Sequence, residues 1–124
     1  MIDVSDAIRI HEILISQFGG STGVRDLPLL ESALSRPFQT FDQHDLYSSA
    51  IEKAAALIES ILINHPFIDG NKRIGYVLMR LLLINYELDI YADQDEKFDF
   101  VIKVACGEYR YPEIVNWISR NLKR

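Results

Sequence analysis

Two stretches of helical apolar spacing, separated by nine residues of dense polar chemistry, restrict the fold of this chain more than any other pattern in it. Over 51–62, Ile51, Ala55, Ile58 and Leu62 fall on one stripe; beyond the interruption, Ile74, Val77, Leu78, Leu81 and Leu82 begin a second. The spacing predicts two central helices. They are joined by His65-Pro66-Phe67-Ile68-Asp69-Gly70-Asn71-Lys72-Arg73, a loop that runs from the end of one helix to the start of the next.

A loop that feeds a helix suits an anion, because the first N–H groups of a helix have no internal partner and the helix dipole adds partial positive charge there. Gly70 allows a left-handed or tightly turned backbone, so that amides from Asp69 to Lys72 can converge on an oxygen. Lys72 brings a mobile point charge and Arg73 a planar fork suited to phosphate. Asn71 can orient a phosphate oxygen or brace the loop. Asp69 would repel phosphate unless a cation lay between them, and Mg²⁺ held by one or two carboxylates and phosphate oxygens is the usual arrangement. The loop therefore predicts a metal-nucleotide site. Histidine is the side chain whose ordinary titration range reaches neutral pH, so His65 reads as a general base. Pro66 disfavours helix at His65 and helps turn the imidazole toward the loop.

Taken singly, these residues have blander readings. A His-Pro pair commonly ends a helix, and Lys-Arg at a helix start is commonly solvated surface. The combination at fixed offsets favours a nucleotide-phosphate site over a degenerate, inactive loop. Phe67 reads as a core anchor of the loop, and His11 and His44, with no partner at metal-ligand spacing, as surface or helix-packing residues. Gly19-Gly20-Ser21-Thr22-Gly23 lacks the Lys-Ser/Thr of a P-loop and reads as a flexible turn.

Along the chain, Ser5 is expected to cap a first helix that reaches Phe18 and ends at Gly19, and Asp26 to start a second over 28–34. Residues 36–41 read as an extended connector, a candidate flap for a target chain. The central helix is expected from near Asp45 to Asn64, and its successor from Asn71 to about Tyr86. Residues 87–91 form a link. Asp93 and Glu96 then make a capping-box pair for a helix ending near Gly107, and a last helix over 112–122 carries Ile114, Trp117 and Ile118 on one face. No internal repeat or linker divides the chain.

Bulk properties narrow the class only a little further. A length of 124 residues suits one domain. Cys106, the single cysteine, cannot form an internal disulfide and, lying in an apolar run, is expected in the core of a protein kept in a reducing compartment. Residues 1–6 lack the basic start and apolar run of a secretory signal, and charge interrupts the apolar segments elsewhere, so a cytoplasmic protein without a membrane association is expected. A net charge of −5 argues against direct nucleic-acid binding.

The loop resembles the H-x-F-x-[DN]-[AG]-N-K-R signature of the Fic/Doc family, in its Doc (death-on-curing) toxin branch. The resemblance extends upstream through Gly19-Gly20-Ser21-Thr22-Gly23-Val24-Arg25-Asp26 and Leu29-Leu30-Glu31-Ser32-Ala33-Leu34, followed by Arg36-Pro37. It implies an all-α fold, a single Fic/Doc-type helical bundle over residues 1–124 with the active loop between two central helices. It further implies a toxin of a toxin–antitoxin pair that moves the terminal phosphate of ATP to a Ser/Thr hydroxyl of a protein, elongation factor Tu, and arrests translation. Carried over residue by residue, His65, Lys72 and Arg73 are catalytic. Gly70, Asn71, Lys72 and Arg73 bind the nucleotide, and Asp69 holds Mg²⁺.

AMP-transferring relatives carry H-P-F-x-[DE]-G-N-G-R, with glycine where this chain has Lys72, and often a second arginine where it has Tyr76. Pro66 and Gly70 are shared with that branch, so an adenylyl transferase stays open as an alternative, as does an inactive helical binding module. The inhibitory form [ST]-x-x-x-E-[GN] is incomplete, because Ser48-Ser49-Ala50-Ile51-Glu52 is followed by Lys53. Control is therefore expected from another chain, an antitoxin whose tail folds as a helix into a groove beside the loop. The apolar content, 48% of residues, leaves room for such a groove.

Overall fold

Side-chain caps set most element boundaries in the computed structural model, which describes residues 2–123. The order is α1 (Val4–Phe18), α2 (Leu27–Ser35), a 3-10 turn (Arg36–Phe38), β1 (Thr40–Phe41), β2 (His44–Asp45), α3 (Ala50–Asn64), α4 (Asn71–Asn85), α5 (Gln94–Ala105) and α6 (Tyr111–Arg120). The all-helical expectation holds apart from the small hairpin. The start of α1 differs from the Ser5 cap, because the Asp3 carboxylate accepts from the Asp6 amide at 2.8 Å while Asp6 accepts from the Asp3 amide at 3.3 Å. Asp26 caps α2 and the Asp93–Glu96 box caps α5, as their spacing predicts.

The central helix starts later than its pattern suggests. Ser49 and Glu52 form a capping box that begins α3 at Ala50, while Asp45 belongs to the hairpin. The connector over 36–41 is extended only at its end, since the Gln39 amide closes a 3-10 turn on Arg36 at 3.2 Å. Thr40 then pairs with Asp45 and Phe41 with His44. Asp42 and Gln43 between them both take positive φ, 51° and 66°, as two-residue hairpin turns demand.

α3 runs through the middle, packed by α2, α4, α5 and α6, and every residue from Lys53 to Leu62 is buried. The single stripe expected from 51–62 is therefore a helix covered on all sides. Its closest partner is α4. A Cβ at Gly75 would stand 2.9 Å from Leu62 Cδ2, so this approach requires glycine. On the opposite flank Phe100 stacks on Trp117, ring centroids 3.9 Å apart, and Ile114 and Ile118 are buried beside them. An isolated bridge between Ile90 and Leu122 ties the link after α4 to the end of α6.

One carboxylate on α3 is buried with its charge matched. Glu59 accepts from Arg36 at 2.9 Å, from Arg110 Nε at 3.1 Å and from the Tyr111 amide at 2.8 Å, and Arg36 also donates to the Tyr47 hydroxyl at 2.9 Å and to Ser60 Oγ at 3.0 Å. Lys53 donates to the Tyr47 carbonyl and faces Asp45 Oδ2 at 3.4 Å. These contacts anchor both feet of the hairpin on α3. Cys106, expected in the core, is exposed, because it lies one residue past α5 where the chain turns toward Gly107 at φ 83°. No helix among the described residues is long and apolar enough to cross a membrane.

Candidate functional site

α3 ends on a strained residue. His65 takes φ 49° and ψ 60°, left-handed rather than extended, with its amide still donating to Ile61 O at 3.1 Å and its side chain exposed. Proline next in the chain forbids another helical turn. The exposed carbonyls at the helix end are met by Arg25, whose Nε donates to His65 O at 2.7 Å and whose second nitrogen donates to Asn64 O at 2.6 Å. A cation there also complements the helix dipole.

The first half of the loop is zipped to the segment before α2. The Arg25 and Asp26 amides both donate to Pro66 O, at 2.8 and 3.1 Å, and the Ile68 amide donates to Gly23 O at 3.0 Å. Phe67 is the core anchor expected of it: 1% exposed, with its ring parallel to His11 at a centroid distance of 4.0 Å. Asn71 closes the loop. Its Oδ1 accepts from the Phe67 amide and its Nδ2 donates to the Phe67 carbonyl, both at 3.0 Å. Of the two readings of Asn71, the geometry has the side-chain amide bracing the loop, and one Nδ2 hydrogen and the main-chain amide are not engaged in that brace.

The second half is open. Gly70, at φ 72° and ψ 19°, is the N-cap of α4 and brings no side chain to the amides that follow. Lys72 and Arg73 are exposed, and among the described residues neither forms an ion pair within 4 Å. Arg73 lies over the Phe18 ring, 4.2 Å from its centroid. Asp69 is exposed yet held: Oδ1 accepts from the Gly70 amide at 2.8 Å, Oδ2 from the Ser21 amide at 3.1 Å, and its carbonyl from His11 Nε2 at 2.7 Å. The site thus combines an imidazole, a carboxylate, two unpaired cations and an uncapped helix start. Such a surface can bind an anion and move a proton.

Two neighbours fall outside that constellation. Tyr76, one turn further along α4, has its hydroxyl buried without a partner, and burial pushes the phenol up to about 12. It belongs to the packing beside Arg80 and Lys97. A cavity of about 330 Å³ lined by Ile2, Ile10, Leu34, Phe38, Leu81 and Tyr86 lies at the other end of α4. His44 is exposed on β2 and His11 packs on the buried face of α1, in keeping with their expected surface or helix-packing roles, but the contact of His11 with the loop was not foreseen. The available signal was its place in the stripe Ala7, His11, Ile15, the buried face of α1.

A model of the Fic/DOC family matches residues 1–83, which takes in α1 to α3, the whole loop and most of α4. Toxin Doc of Mycolicibacterium smegmatis is 40% identical over 78 residues, 63% of this chain and 60% of that toxin's length. A Fido domain-containing protein of Dictyostelium discoideum is 34% identical over 101 residues, covering 77% of this chain and 68% of its own. Protein kinase doc of Escherichia phage P1 is 24% identical over 119 residues, covering 96% and 93%.

Proposed function

Because the chain belongs to the Fic/DOC family, we propose that residues 1–124 form one Doc-type toxin domain that transfers the terminal phosphate of ATP to a Ser/Thr hydroxyl of a protein target. Elongation factor Tu is the proposed target, arrest of translation the consequence, and the cytoplasm the place. The observation that carries this reading is the open end of the loop, where Lys72 and Arg73 stand beside an uncapped helix start with no carboxylate among the described residues pairing either of them. Support also comes from a relative that aligns over nearly the whole chain and is named a protein kinase.

In the proposed reaction the target hydroxyl loses its proton to the His65 imidazole as its oxygen bonds to phosphorus, and the bond from phosphorus to the ADP oxygen breaks. The main-chain amides of Asn71 and Lys72 hold phosphate oxygens, with Gly70 leaving room for them while its own amide goes to Asp69, and the Lys72 and Arg73 side chains balance the charge that passes to the leaving diphosphate. Asp69 would hold Mg²⁺. The donor set fits that ion, since Asp69 offers an exposed carboxylate and Mg²⁺ takes one or two carboxylates together with waters and phosphate oxygens instead of demanding a protein cage. Bound there, the ion would neutralise phosphate charge.

AMP transfer is the second reading, favoured by Pro66 and Gly70. Against it stands Tyr76, whose buried phenol cannot supply the charge of a second arginine. The test is incubation with purified elongation factor Tu and ATP labelled at either its first or its last phosphate. Label from the last phosphate on the target supports the kinase reading, and label from the first replaces it with adenylyl transfer. An antitoxin partner is proposed with the toxin, to be tested by whether the product of an adjacent gene relieves growth arrest and forms a stable complex.

A further inference from the structure

The proposed chemistry leaves one buried polar residue unused, and that residue grips the loop at its metal-side position. His11 is 1% exposed on α1, and its Nε2 lies 2.7 Å from the Asp69 carbonyl oxygen. A carbonyl only accepts, so Nε2 carries the proton. The imidazole face stacks on Phe67, with an interplanar angle of 10°. A planar trans peptide fixes both of its ends at once. With the carbonyl held toward α1, the Gly70 amide is turned the other way, where it donates to Asp69 Oδ1 at 2.8 Å.

The turn that follows α1 completes the grip. Ser21, two residues past the Gly19 cap, donates its amide to Asp69 Oδ2 at 3.1 Å. No side chain fits between them: a Cβ at Gly20 would stand 2.7 Å from Oδ2, and Gly20 has φ 117°. On the other side a Cβ at Gly70 would meet Ile15 Cδ1 at 3.2 Å and His11 Nε2 at 3.6 Å. Main chain, carboxylate and helix start are therefore all registered against α1 and its trailing turn, by contacts 48 and 58 residues apart in sequence.

We infer that His11, with the Gly20–Ser21 turn, is a positioning residue that presets the Asp69 carboxylate and the first amides of α4, an assignment that rests on the nucleotide reading of the loop. A histidine that merely filled the core would act through its volume and its stack. A positioning histidine acts through the donor on Nε2, and the two roles separate by substitution. In His11→Gln the side-chain nitrogen stands where Nε2 stood, without the stack; in His11→Phe the stack remains without the donor. Gly20→Ala leaves His11 intact and crowds Oδ2 from a surface turn, which keeps the question open to measurement if His11→Phe fails to fold.

Two measurements on the whole chain decide the matter. In the metal-free protein, the Ser21 and Gly70 amide protons should resonate downfield because they bond a carboxylate. Both signals should move upfield in His11→Phe and in Gly20→Ala and hold in His11→Gln. In the labelled-ATP assay, the Mg²⁺ concentration for half-maximal transfer should rise by about 10- to 100-fold in His11→Phe and Gly20→Ala, the usual effect of losing a partner of a metal ligand, and stay near the parent's in His11→Gln. Parent-like amide signals and Mg²⁺ dependence in folded His11→Phe and Gly20→Ala would overturn the inference. So would a His11→Gln protein as impaired as His11→Phe. If the parent transfers no phosphate, the nucleotide reading fails by itself, and the amide signals alone decide the role of His11.

Discussion

Two groups of cations flank α3, and the molecule treats them in opposite ways. Arg36 and Arg110 converge on the buried Glu59, whose oxygens also take the Tyr111 amide, so every charge in that group has a partner at 2.8 to 3.1 Å. Lys72 and Arg73 follow a carboxylate closely in the chain, yet Asp69 gives its oxygens to the Ser21 and Gly70 amides, and neither cation has an ion-pair partner among the described residues. The first group is closed and the second open. Closure converts charge into cohesion, because removing one member of a buried pair leaves the other uncompensated. Openness costs stability little at an exposed helix start and keeps charge for a ligand. Density of charged residues alone does not separate the two; what separates them is whether the acceptors are already taken.

Removal of the imidazole proposed as proton acceptor should break that contrast most sharply. His65→Ala is expected to lower phosphate transfer by about 10²- to 10⁴-fold, the usual worth of a general base, while the unfolding midpoint stays close to the parent's because the side chain is exposed. Rates and thermal unfolding measured on one preparation check this. Near-parental turnover would move the base elsewhere.

The reciprocal change belongs to the closed group. Glu59→Ala leaves Arg36 partly buried and the Tyr111 amide without its acceptor, so urea unfolding should report a loss of about 3–5 kcal/mol. The protein that remains folded should keep the parent's dependence on ATP. A loss under about 1 kcal/mol would mean that water replaces the carboxylate and that the group is not closed.

Lys72→Gly probes the open group from the phosphate side. It recreates the glycine pattern of AMP-transferring relatives, and transfer of the terminal phosphate should fall by about 10²- to 10³-fold, the range for loss of one preorganised charge donor. Transfer at the parental rate would detach the kinase reading from this lysine.

The open group was legible in the sequence because its parts are consecutive: nine residues held the imidazole, the carboxylate, the turn glycine and both cations. Helix starts at Asp26 and Asp93 were legible for the same reason, since a cap acts over three residues. The closed group was not, because Glu59 meets Arg36 and Arg110 across 23 and 51 residues. His11 was hidden likewise. On a helical stripe a buried histidine reads as packing, and only the fold brings the Asp69 carbonyl to its Nε2. The hairpin escaped because Asp42 and Gln43 adopt positive φ without the Asn-Gly or Asp-Gly signal that usually announces such a turn. The end of α5 misled differently, with an apolar run that carries past the helix and leaves Cys106 in water.

The smallest expected effect tests an ion pair intermediate between the two groups. Arg80 meets Asp89 through two contacts, Nε to Oδ1 at 2.7 Å and the second nitrogen to Oδ2 at 3.0 Å, and the Ile90 amide adds a third at 2.7 Å, yet the arginine side chain is 47% exposed. The guanidinium hydrogen bond, ahead of the Ile90 amide, holds the Asp89 carboxyl below its ordinary value of 3.8. A carboxyl lowered on folding stabilises fully above its unfolded value and loses that contribution as pH falls through the folded one. Solvent screening keeps the size near the upper end for surface pairs, about 0.5–1 kcal/mol. Asp89→Asn should therefore unfold more easily than the parent by that amount at neutral pH, with the gap unchanged down to about pH 5 and closing below the ordinary carboxylate range. Phosphate transfer at neutral pH should not change, because the pair lies toward the end of α4 away from the loop. A gap that persists undiminished in acid would assign the stabilisation to the shape of the side chain and not to its charge, and any matching loss of transfer would join this end of α4 to the open group.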